Sequence, residues 1–286
     1  MMKRFLFVAF AILLFNTNAC TQGNSCYPCS IASINIRISN KKDIFNHWNN
    51  RKEQLTEYIR SEALDIVSLQ EVSTGQLIYL ISILEEYGVA GNNPKVVTGE
   101  EYLPILYRKK DFVCLDEGTF WLSETPDSIG SRGWDGKHPR RVTWAKLMCK
   151  KSNRTFCVVN THLDHVGIVA RQKGMELIKH RLKSTSNSIP VVLCGDMNFS
   201  STSSAYYCAL NDEFMMYDAY QVAKVRKGVT YSFHGFGNRP IEKRRMIDFV
   251  FITNQLEVKE IEIPKEEKMN GSFLTDHCPI IVKISF

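Results

Sequence analysis

Polar and acidic residues stand at the ends of several apolar segments that read as buried strands. In chain order they are Asn35, Glu71, His162, Asp196 with Asn198 beyond it, Asp248, and the pair Asp276-His277. A polar group at the end of a buried strand costs free energy unless it meets a partner. Any one of them has a structural explanation, for example a turn at Asp196 or a hydrogen-bonded core histidine at His162. Because the pattern recurs along the chain, we expect these residues to converge on one site.

The types of these side chains suit one kind of chemistry. Hard oxygen ligands are offered by Glu71, Asp196, Asp248 and Asp276 and by the amides of Asn35 and Asn198. Such ligands favour Mg²⁺ or Mn²⁺ over zinc. His162 and His277 can move protons and stabilise a developing negative charge. A hard cation, a carboxylate that activates water and cationic imidazoles are what hydrolysis at phosphorus requires.

Hydrophobic periodicity predicts the elements that position these residues. Strands are predicted at 31–38, 65–69, 103–107, 112–122, 142–149, 155–160, 190–194, 246–252, 255–263 and 279–285, and helices at 48–62, from Ser73 or Thr74 to about 87, and at 166–183. The alternation in 31–38 is typical of a half-buried strand. Hairpins are too frequent for a purely parallel sheet. The prediction is an α/β fold with two mixed sheets packed face to face, helices outside, and one domain over 31–286.

The N-terminal segment predicts export. Lys3 and Arg4 precede an apolar run over 5–15, which is too short to span a bilayer, so residues 1–19 read as a signal peptide rather than a membrane anchor. Residues 20–30 then read as a tether. Cys20 directly after Ala19 resembles a bacterial lipoprotein signal, which leaves open a lipid anchor. The expected location is the periplasm, the cell surface or the medium.

The charge of the chain is mildly positive, with a formal net charge of +6 at pH 7. This excess is compatible with an anionic substrate without requiring one. Basic residues cluster at 137–141 and 239–245, where they either flank a groove for nucleic acid or form a solvated surface.

Cysteine usage fits an exported protein, since the chain has nine cysteines and export permits disulfides. Cys26-x-x-Cys29 has no second ligand pair, so a zinc site is not predicted. Cys149 and Cys157 flank a polar turn between two apolar runs, and we predict a disulfide between them.

Short motifs carry a resemblance to a known family. They are Asn35-Ile36-Arg37, Leu69-Gln70-Glu71-Val72, Asn160-Thr161-His162-Leu163-Asp164, Gly195-Asp196-Met197-Asn198, Ile247-Asp248-Phe249-Val250 and Thr275-Asp276-His277-Cys278-Pro279. Their order and spacing resemble the endonuclease/exonuclease/phosphatase family over residues 31–286. The segments 120–127 and 133–135 resemble a secreted bacterial branch of it. The resemblance implies a four-layer α-β-β-α sandwich.

The resemblance also implies roles for the metal and water ligands. Glu71 would be the principal ligand of Mg²⁺ or Mn²⁺, with Asn35 in the same pocket and Asp276 near the metal. Asp196 would activate the attacking water, and Asn198 would hold that water or a phosphate oxygen.

For the histidines, the resemblance implies that each is oriented by a carboxylate. His277 would stabilise the phosphorane and pair with Asp248. His162 would contact the phosphate or the leaving oxygen and pair with Glu101, for which Glu100 is the rival. The residues expected to bind substrate are Arg37, Arg140 and Arg141. Arg37 stands where some abasic-site enzymes carry an acid, which argues against a close copy of their metal site.

Several interpretations stay open at this point. The chain is expected to be a metal-dependent phosphoesterase, and the alternative is a catalytically inactive exported binding or effector protein on the same scaffold. Among enzymes, a nuclease, a phosphoinositide phosphatase and a small-molecule phosphatase are not distinguished. The expected partner is a phosphate ester, with nucleic acid left open. No protein partner is implied, and a monomer is expected.

Overall fold

The computed structural model describes residues 28–91, 101–185, 189–211 and 214–285. The predicted signal peptide, Cys20 and most of the predicted tether lie outside the described residues. The first strand begins at Pro28 rather than at Ile31, so the end of the predicted tether belongs to the sheet.

The chain alternates strands with a few helices. The strands are β1 (Pro28–Asn35), β2 (Ile66–Gln70), β3 (Tyr87–Ala90), β4 (Ile105–Arg108), β5 (Phe112–Trp121), β6 (Arg141–Cys149), β7 (Thr155–His162), β8 (Val191–Asp196), β9 (Tyr217–Asp218), β10 (Val225–Gly228), β11 (Asp248–Ile252), β12 (Glu257–Ile263), β13 (Lys268–Met269), β14 (Ser272–Phe273) and β15 (Ile280–Ser285). The helices are α1 (Trp48–Ser61), α2 (Thr74–Ile83), α3 (Ile168–Thr185), α4 (Ser204–Leu210) and α5 (Ala219–Val222), with short 3-10 helices at Lys41–Asn46 and Ile241–Lys243. Among the described residues no helix is long and apolar enough to cross a membrane.

Two mixed sheets form the centre of the fold. The larger has seven strands in the order β10-β12-β15-β1-β2-β4-β3, and the other has six in the order β5-β6-β7-β8-β11-β9. β13 and β14 pair separately. The two mixed sheets and the helices outside them agree with the α/β sandwich predicted from the sequence.

Three apolar layers hold these sheets and helices together. The layer between the sheets includes Ile31, Phe156 and Ile284. On the outer face of the seven-stranded sheet, α1 and α2 pack through residues such as Leu55 and Leu80. On the outer face of the six-stranded sheet, α3 and α4 pack through residues such as Met175, Ile178 and Ala205. Apolar burial therefore fixes the order helix, sheet, sheet, helix.

Strand direction gathers the polar strand ends at one edge of the sandwich. β1 runs parallel to β2, and β7 runs parallel to β8. The hydrogen bond between Asn35, which ends β1, and Asp196, which ends β8, shows that all four strands end on the same side. β15 is antiparallel to β1 and β11 is antiparallel to β8, so these two strands begin there. Asp248, the first residue of β11, lies directly opposite Asp196, the last residue of β8. Residues far apart in sequence thus meet at one edge.

A buried amide pair links the two sheets just below this edge. Gln70 Nε2 donates to Asn160 Oδ1 at 2.7 Å, across from one sheet to the other. Asn160 Nδ2 donates in turn to the carbonyls of Leu69 (2.8 Å) and Pro104 (3.1 Å). Neither Gln70 nor Asn160 is exposed. Because a buried amide must keep its hydrogen bonds, this pair sets how the ends of β2 and β7 sit relative to each other.

The sequence-based prediction of a half-buried strand at 31–38 is wrong. Ala32 and Ile34 face the helices, as the alternation implied, but Ser33 and Asn35 on the other face are also buried, 2% and 1% exposed. The second sheet covers that face. The polar residues of this strand therefore do not lie on a solvent-exposed face.

The predicted disulfide is also wrong, because Cys149 and Cys157 are free thiols. The hairpin of β6 and β7 forms as expected, but Cys157 lies opposite Lys146, three residues before Cys149. An odd offset along a strand places two side chains on opposite faces. Cys149 packs between the sheets and Cys157 packs on the helix side.

A buried arginine secures the segment that follows β1. The Arg51 guanidinium, on α1, donates to the carbonyls of Asn46 (2.8 Å), Ile36 (2.6 Å), Arg37 (2.9 Å) and Leu274 (3.1 Å), and the residue is 1% exposed. It joins the segment after β1 to the segment before β15, which both approach the polar edge.

We expect Arg51→Met to lower the free energy of unfolding by about 3 kcal/mol, because the substitution leaves buried carbonyl acceptors without donors. Urea unfolding followed by circular dichroism measures the change. Arg60→Met on the same helix is the matched control: its guanidinium pairs with Glu86 with both side chains 43% exposed, and we expect a loss below about 1 kcal/mol. Equal losses in the two variants would contradict the role given to Arg51.

Candidate active site

The polar edge of the sandwich opens into a cleft with a volume of about 450 Å³. The predicted site residues that line it are Arg37, Glu71, Glu101, Arg140, His162, Asp196, Asn198, Asp276 and His277. Asn35 and Asp248 lie directly behind them and bond to them. The residues that the strand-end pattern singled out therefore come together.

Asp196 lies at the centre of the site and is 2% exposed. Its Oδ1 accepts from the Asn198 backbone N–H at 3.0 Å, and its Oδ2 accepts from Asn35 Nδ2 at 3.1 Å. The Nε2 atoms of His162 and His277 lie 3.5 Å and 3.8 Å from Oδ2. Burial, together with the nearby Asp248 carboxylate, raises the pKa of Asp196 to about 6, although both imidazoles oppose the shift. A carboxylate of this pKa is well placed to accept a proton near neutral pH.

His277 is held by a carboxylate on a rigid strand. Its Nδ1 and Asp248 Oδ2 are 2.8 Å apart, so the pairing predicted from the sequence is confirmed. Burial alone lowers the pKa of His277, but the charge of Asp248 and the hydrogen bond to it outweigh burial and raise that pKa to about 10. The Asp248 backbone N–H donates to Ser232 Oγ at 3.0 Å. The imidazolium is therefore fixed in direction, with Nε2 turned towards Asp196.

His162 is held in the same way by a carboxylate from the segment before β4. Its Nδ1 lies 2.7 Å from Glu101 Oε1, which confirms the pairing with Glu101; the rival, Glu100, lies outside the described residues. Arg140 also bonds Glu101, at 3.2 Å. Burial raises the pKa of Glu101, but His162 and Arg140 together lower it to about 2. Burial and Arg140 lower the pKa of His162, yet Glu101 and Asp196 leave it above its ordinary value.

Glu71 and Asp276 form a second group of carboxylates in the cleft. Glu71 accepts from Asn35 Nδ2 at 3.1 Å and from the Ile38 backbone N–H at 3.0 Å. Arg37 lies 3.9 Å from Glu71 and 4.0 Å from Asp276, and its strongest ion pair is with Asp43, at 3.1 Å. Asn35 turns its amide nitrogen towards Glu71 and Asp196, while its oxygen accepts from the Arg37 backbone N–H. In this arrangement Asn35 links the two carboxylates through its amide nitrogen, and its oxygen bonds the backbone instead of being turned towards a cation.

Three residues of the site adopt a strained backbone conformation. Arg37, Glu71 and Asn198 have positive φ angles of 60°, 57° and 49°. Non-glycine residues seldom adopt this region, which costs roughly 1–2 kcal/mol each. The hydrogen bonds of Asn35, Ile38 and Asp196 hold these residues in place.

The chemistry of Glu71 and Asp276 suits a divalent cation. Both are oxygen donors, and burial raises the pKa of Asp276, to which the charge of Glu71 adds. A bound cation would neutralise this excess of negative charge. Asp196, Asp248 and His277 form another group whose ligand atoms lie within 4.8 Å of one another. There, however, Asp248 and Nδ1 of His277 already bond to each other.

One predicted residue is not brought into the cleft. The Arg141 guanidinium lies 5.1 Å over the Trp121 ring and 5.9 Å from the Tyr102 ring, and the residue is 5% exposed. Arg140, directly before β6, lines the cleft, whereas Arg141, the first residue of β6, does not.

Other residues line the cleft without having been assigned to the site. His138 and Arg239 belong to the predicted basic clusters, but His165 and Phe233 were missed. The Phe233 ring lies 4.8 Å from the His277 ring, and the Arg239 guanidinium lies 4.5 Å over Phe233. His165 lies three residues after His162, and this proximity was the signal in the sequence that could have identified it. Phe233 meets His277 through an isolated bridge between distant segments, for which the sequence holds no local signal.

Comparison with solved structures finds the same fold. An endonuclease/exonuclease/phosphatase from Bacteroides vulgatus superposes with a TM-score of 0.86 at 40% identity, over 90% of this chain and 98% of that one. A mannosyl-6-phosphatase from Bacteroides thetaiotaomicron superposes with a TM-score of 0.80 at 26% identity, over 90% of this chain and all of that one (100%).

Comparison of sequences also finds relatives of this chain. An uncharacterized protein of Acanthamoeba polyphaga mimivirus is 25% identical over 305 residues, which cover 84% of this chain. The match spans 43% of that protein, less than half of its length. The model of the Endonuclease/Exonuclease/phosphatase family matches residues 14–277. Since this match takes in most of the chain and the whole cleft, the chain belongs to the endonuclease/exonuclease/phosphatase family.

Proposed function

We propose that the chain is a metal-dependent phosphatase that hydrolyses small phosphate monoesters, with sugar phosphates as its substrate class. The observation that carries the proposal is the buried Asp196 carboxylate between two imidazoles, each of which is held by its own carboxylate. An intact set of this kind argues against the alternative of an inactive binding protein.

Asp196 acts as the general base in this proposal. Its carboxylate is buried at the floor of the cleft, and its raised pKa favours proton uptake from water. Asn198, held by its own side-chain bond to the Leu163 carbonyl at 3.0 Å, orients the attacking water or a phosphate oxygen. General bases of this type contribute roughly 10²–10⁴ to the rate.

The two histidines stabilise the phosphate in the transition state, where its negative charge is greatest. His277 is cationic over the physiological pH range because of Asp248, and it stabilises the negative charge that builds up at phosphorus. His162, oriented by Glu101, contacts the phosphate or the leaving oxygen. A charge placed in advance stabilises the transition state because it does not have to reorient during the reaction.

Glu71 and Asp276 are the residues proposed to hold Mg²⁺ or Mn²⁺. When bound there, such a cation supplies Lewis-acid stabilisation of the phosphate oxygens. Arg37 stands beside both carboxylates and balances part of their charge. Arg140 contributes through Glu101 and His162 rather than as a free cation.

Two observations favour a small substrate over a nucleic acid. The cleft volume of about 450 Å³ matches that of sites for small molecules. The likeness to a mannosyl-6-phosphatase extends over 90% of this chain, which suggests a hexose phosphate as the first substrate to test.

We expect activity to vanish on chelation and to return with Mg²⁺ or Mn²⁺. Glu71→Ala should weaken Mg²⁺ binding by at least about tenfold, because even changes in outer-shell partners of a metal cost that much. Calorimetric titration with Mg²⁺ and phosphate release from a hexose 6-phosphate provide the two measurements. Glu57→Ala, at an exposed position on α1, is the matched control and should bind Mg²⁺ like the parent.

Full activity in excess chelator, with no metal found by elemental analysis, would contradict this assignment. So would a Glu71→Ala variant with the Mg²⁺ affinity of the parent protein.

We expect Asp248→Asn to move both limbs of the pH–rate profile to lower pH. The Asp248 charge raises the pKa of His277 and also that of Asp196. Without it, the imidazolium is lost at lower pH and the base ionises at lower pH. The midpoint of the basic limb should move to lower pH by about one pH unit or more. The logarithm of kcat/KM measured from pH 5 to 11 shows the shift.

The control for this experiment is Asp218→Asn, which changes another buried carboxylate. Asp218 bonds Tyr206 Oη at 2.9 Å and does not line the cleft. Its profile should keep both limbs. A basic limb that stays in place in Asp248→Asn would refute the role given to this pair.

A further inference from the structure

Two exposed histidines stack on each other at the edge of the cleft. His138 lies in the loop before β6 and His165 in the loop after β7, with ring centroids 5.3 Å apart and planes inclined by 27°. Both line the cleft. Within the described part of the chain, neither imidazole is hydrogen-bonded to another residue. We call this pair the imidazole shelf.

A buried carboxylate fixes the two loops that carry the shelf. Asp164 is 3% exposed. Its Oδ2 accepts from the backbone N–H groups of Lys137 (3.0 Å) and His138 (2.9 Å), and its Oδ1 accepts from those of Val166 (2.8 Å) and Gly167 (2.7 Å). These bonds lower the pKa of Asp164 despite its burial. One ionised side chain thus ties both histidine loops together.

The two histidine loops are also in close contact, which restricts their movement relative to each other. A Cβ at Gly167 would lie 2.6 Å from Asp135 Oδ1 and 2.9 Å from the Asp135 backbone carbon. Asp135 in turn accepts from the backbone N–H groups of Val169 (3.2 Å) and Ala170 (2.7 Å) at the start of α3. The exposed rings therefore stand on a rigid support, although they contribute nothing to the apolar core.

The shelf is continuous with the reactive centre. His162 contacts Asp196, Leu163 accepts the side-chain bond of Asn198, Asp164 anchors the loops, and His165 follows. A phosphate held at His162 and Asn198 would place the rest of its ester within the same cleft as the shelf.

We propose that His138 and His165 bind the alcohol part of the substrate and select a polyhydroxylated ring. The proposal rests on the phosphatase function proposed above. The face of an imidazole packs against the C–H face of a sugar ring, and its free nitrogens exchange hydrogen bonds with hydroxyl groups.

A second phosphate is a poorer fit for this surface. Arg140 is already paired with Glu101, and the Arg239 guanidinium lies over the Phe233 ring. Partial desolvation and the charge of Arg140 lower the pKa of His165, which favours the neutral form of its imidazole. A neutral imidazole suits hydroxyl groups better than an anion.

The test compares two substrates that release a primary alcohol, a hexose 6-phosphate and ethyl phosphate. Only the first presents a ring to the shelf. For the double variant His138→Ala/His165→Ala we expect kcat/KM on the hexose 6-phosphate to fall by about tenfold or more, mainly through KM, in the range that loss of binding contacts produces. We expect kcat/KM on ethyl phosphate to stay within about twofold. His180→Ala, an exposed histidine on α3 that does not line the cleft, should change neither value.

An equal loss on both substrates, or no loss on either, overturns the role of the shelf. A loss of kcat/KM on phenyl phosphate, whose ring carries no hydroxyl groups, without a loss on the hexose 6-phosphate overturns the assignment to a polyhydroxylated ring. If the parent protein hydrolyses neither ester with Mg²⁺ or Mn²⁺, the phosphatase function itself fails, which is a separate result.

Discussion

The structure is organised around one buried carboxylate, Asp196, which lies where the attacking water is proposed to bind. Removing the charge of Asp196 from solvent is costly, and its raised pKa reflects that cost. The site compensates with the Asn35 amide, the Asn198 backbone N–H and two imidazoles. The imidazoles are themselves buried, so each needs its own carboxylate. The need to neutralise one buried charge thus accounts for most of the polar residues at this edge.

The fold meets this requirement by bringing strand ends together from both sheets. Parallel pairing of β1 with β2 and of β7 with β8 places Asn35, Glu71, His162 and Asp196 on one side. The cross-sheet bond between Gln70 and Asn160 sets the two halves in register. Strained backbone at Glu71 and Asn198 then turns the chain at the strand ends. The strained and charged residues at this edge lower the free energy of unfolding, and burial in the apolar layers offsets that loss.

Much of the site could be predicted from local sequence, because acidic and imidazole side chains recur at the ends of several apolar strands, although each one alone has a structural explanation. The pairing of His277 with Asp248 was implied by the resemblance of their motifs to those of the family. What could not be predicted depends on long-range contacts. The offset of Cys149 from Cys157 depends on the register of the hairpin, and the covering of Ser33 and Asn35 depends on a second sheet. Phe233 enters the site through an isolated bridge to His277, and the role of His165 depends on the stacking of its ring against His138.

The most direct test of the central claim is kcat for Asp196→Asn on a phosphate ester that the parent protein hydrolyses. The substitution keeps the size of the side chain and removes the base, so we expect kcat to fall by roughly 10²–10⁴. Thermal unfolding by circular dichroism should still show a cooperative transition, since the fold depends on the apolar layers. A folded Asp196→Asn variant with near-normal kcat would show that this carboxylate does not activate the attacking water.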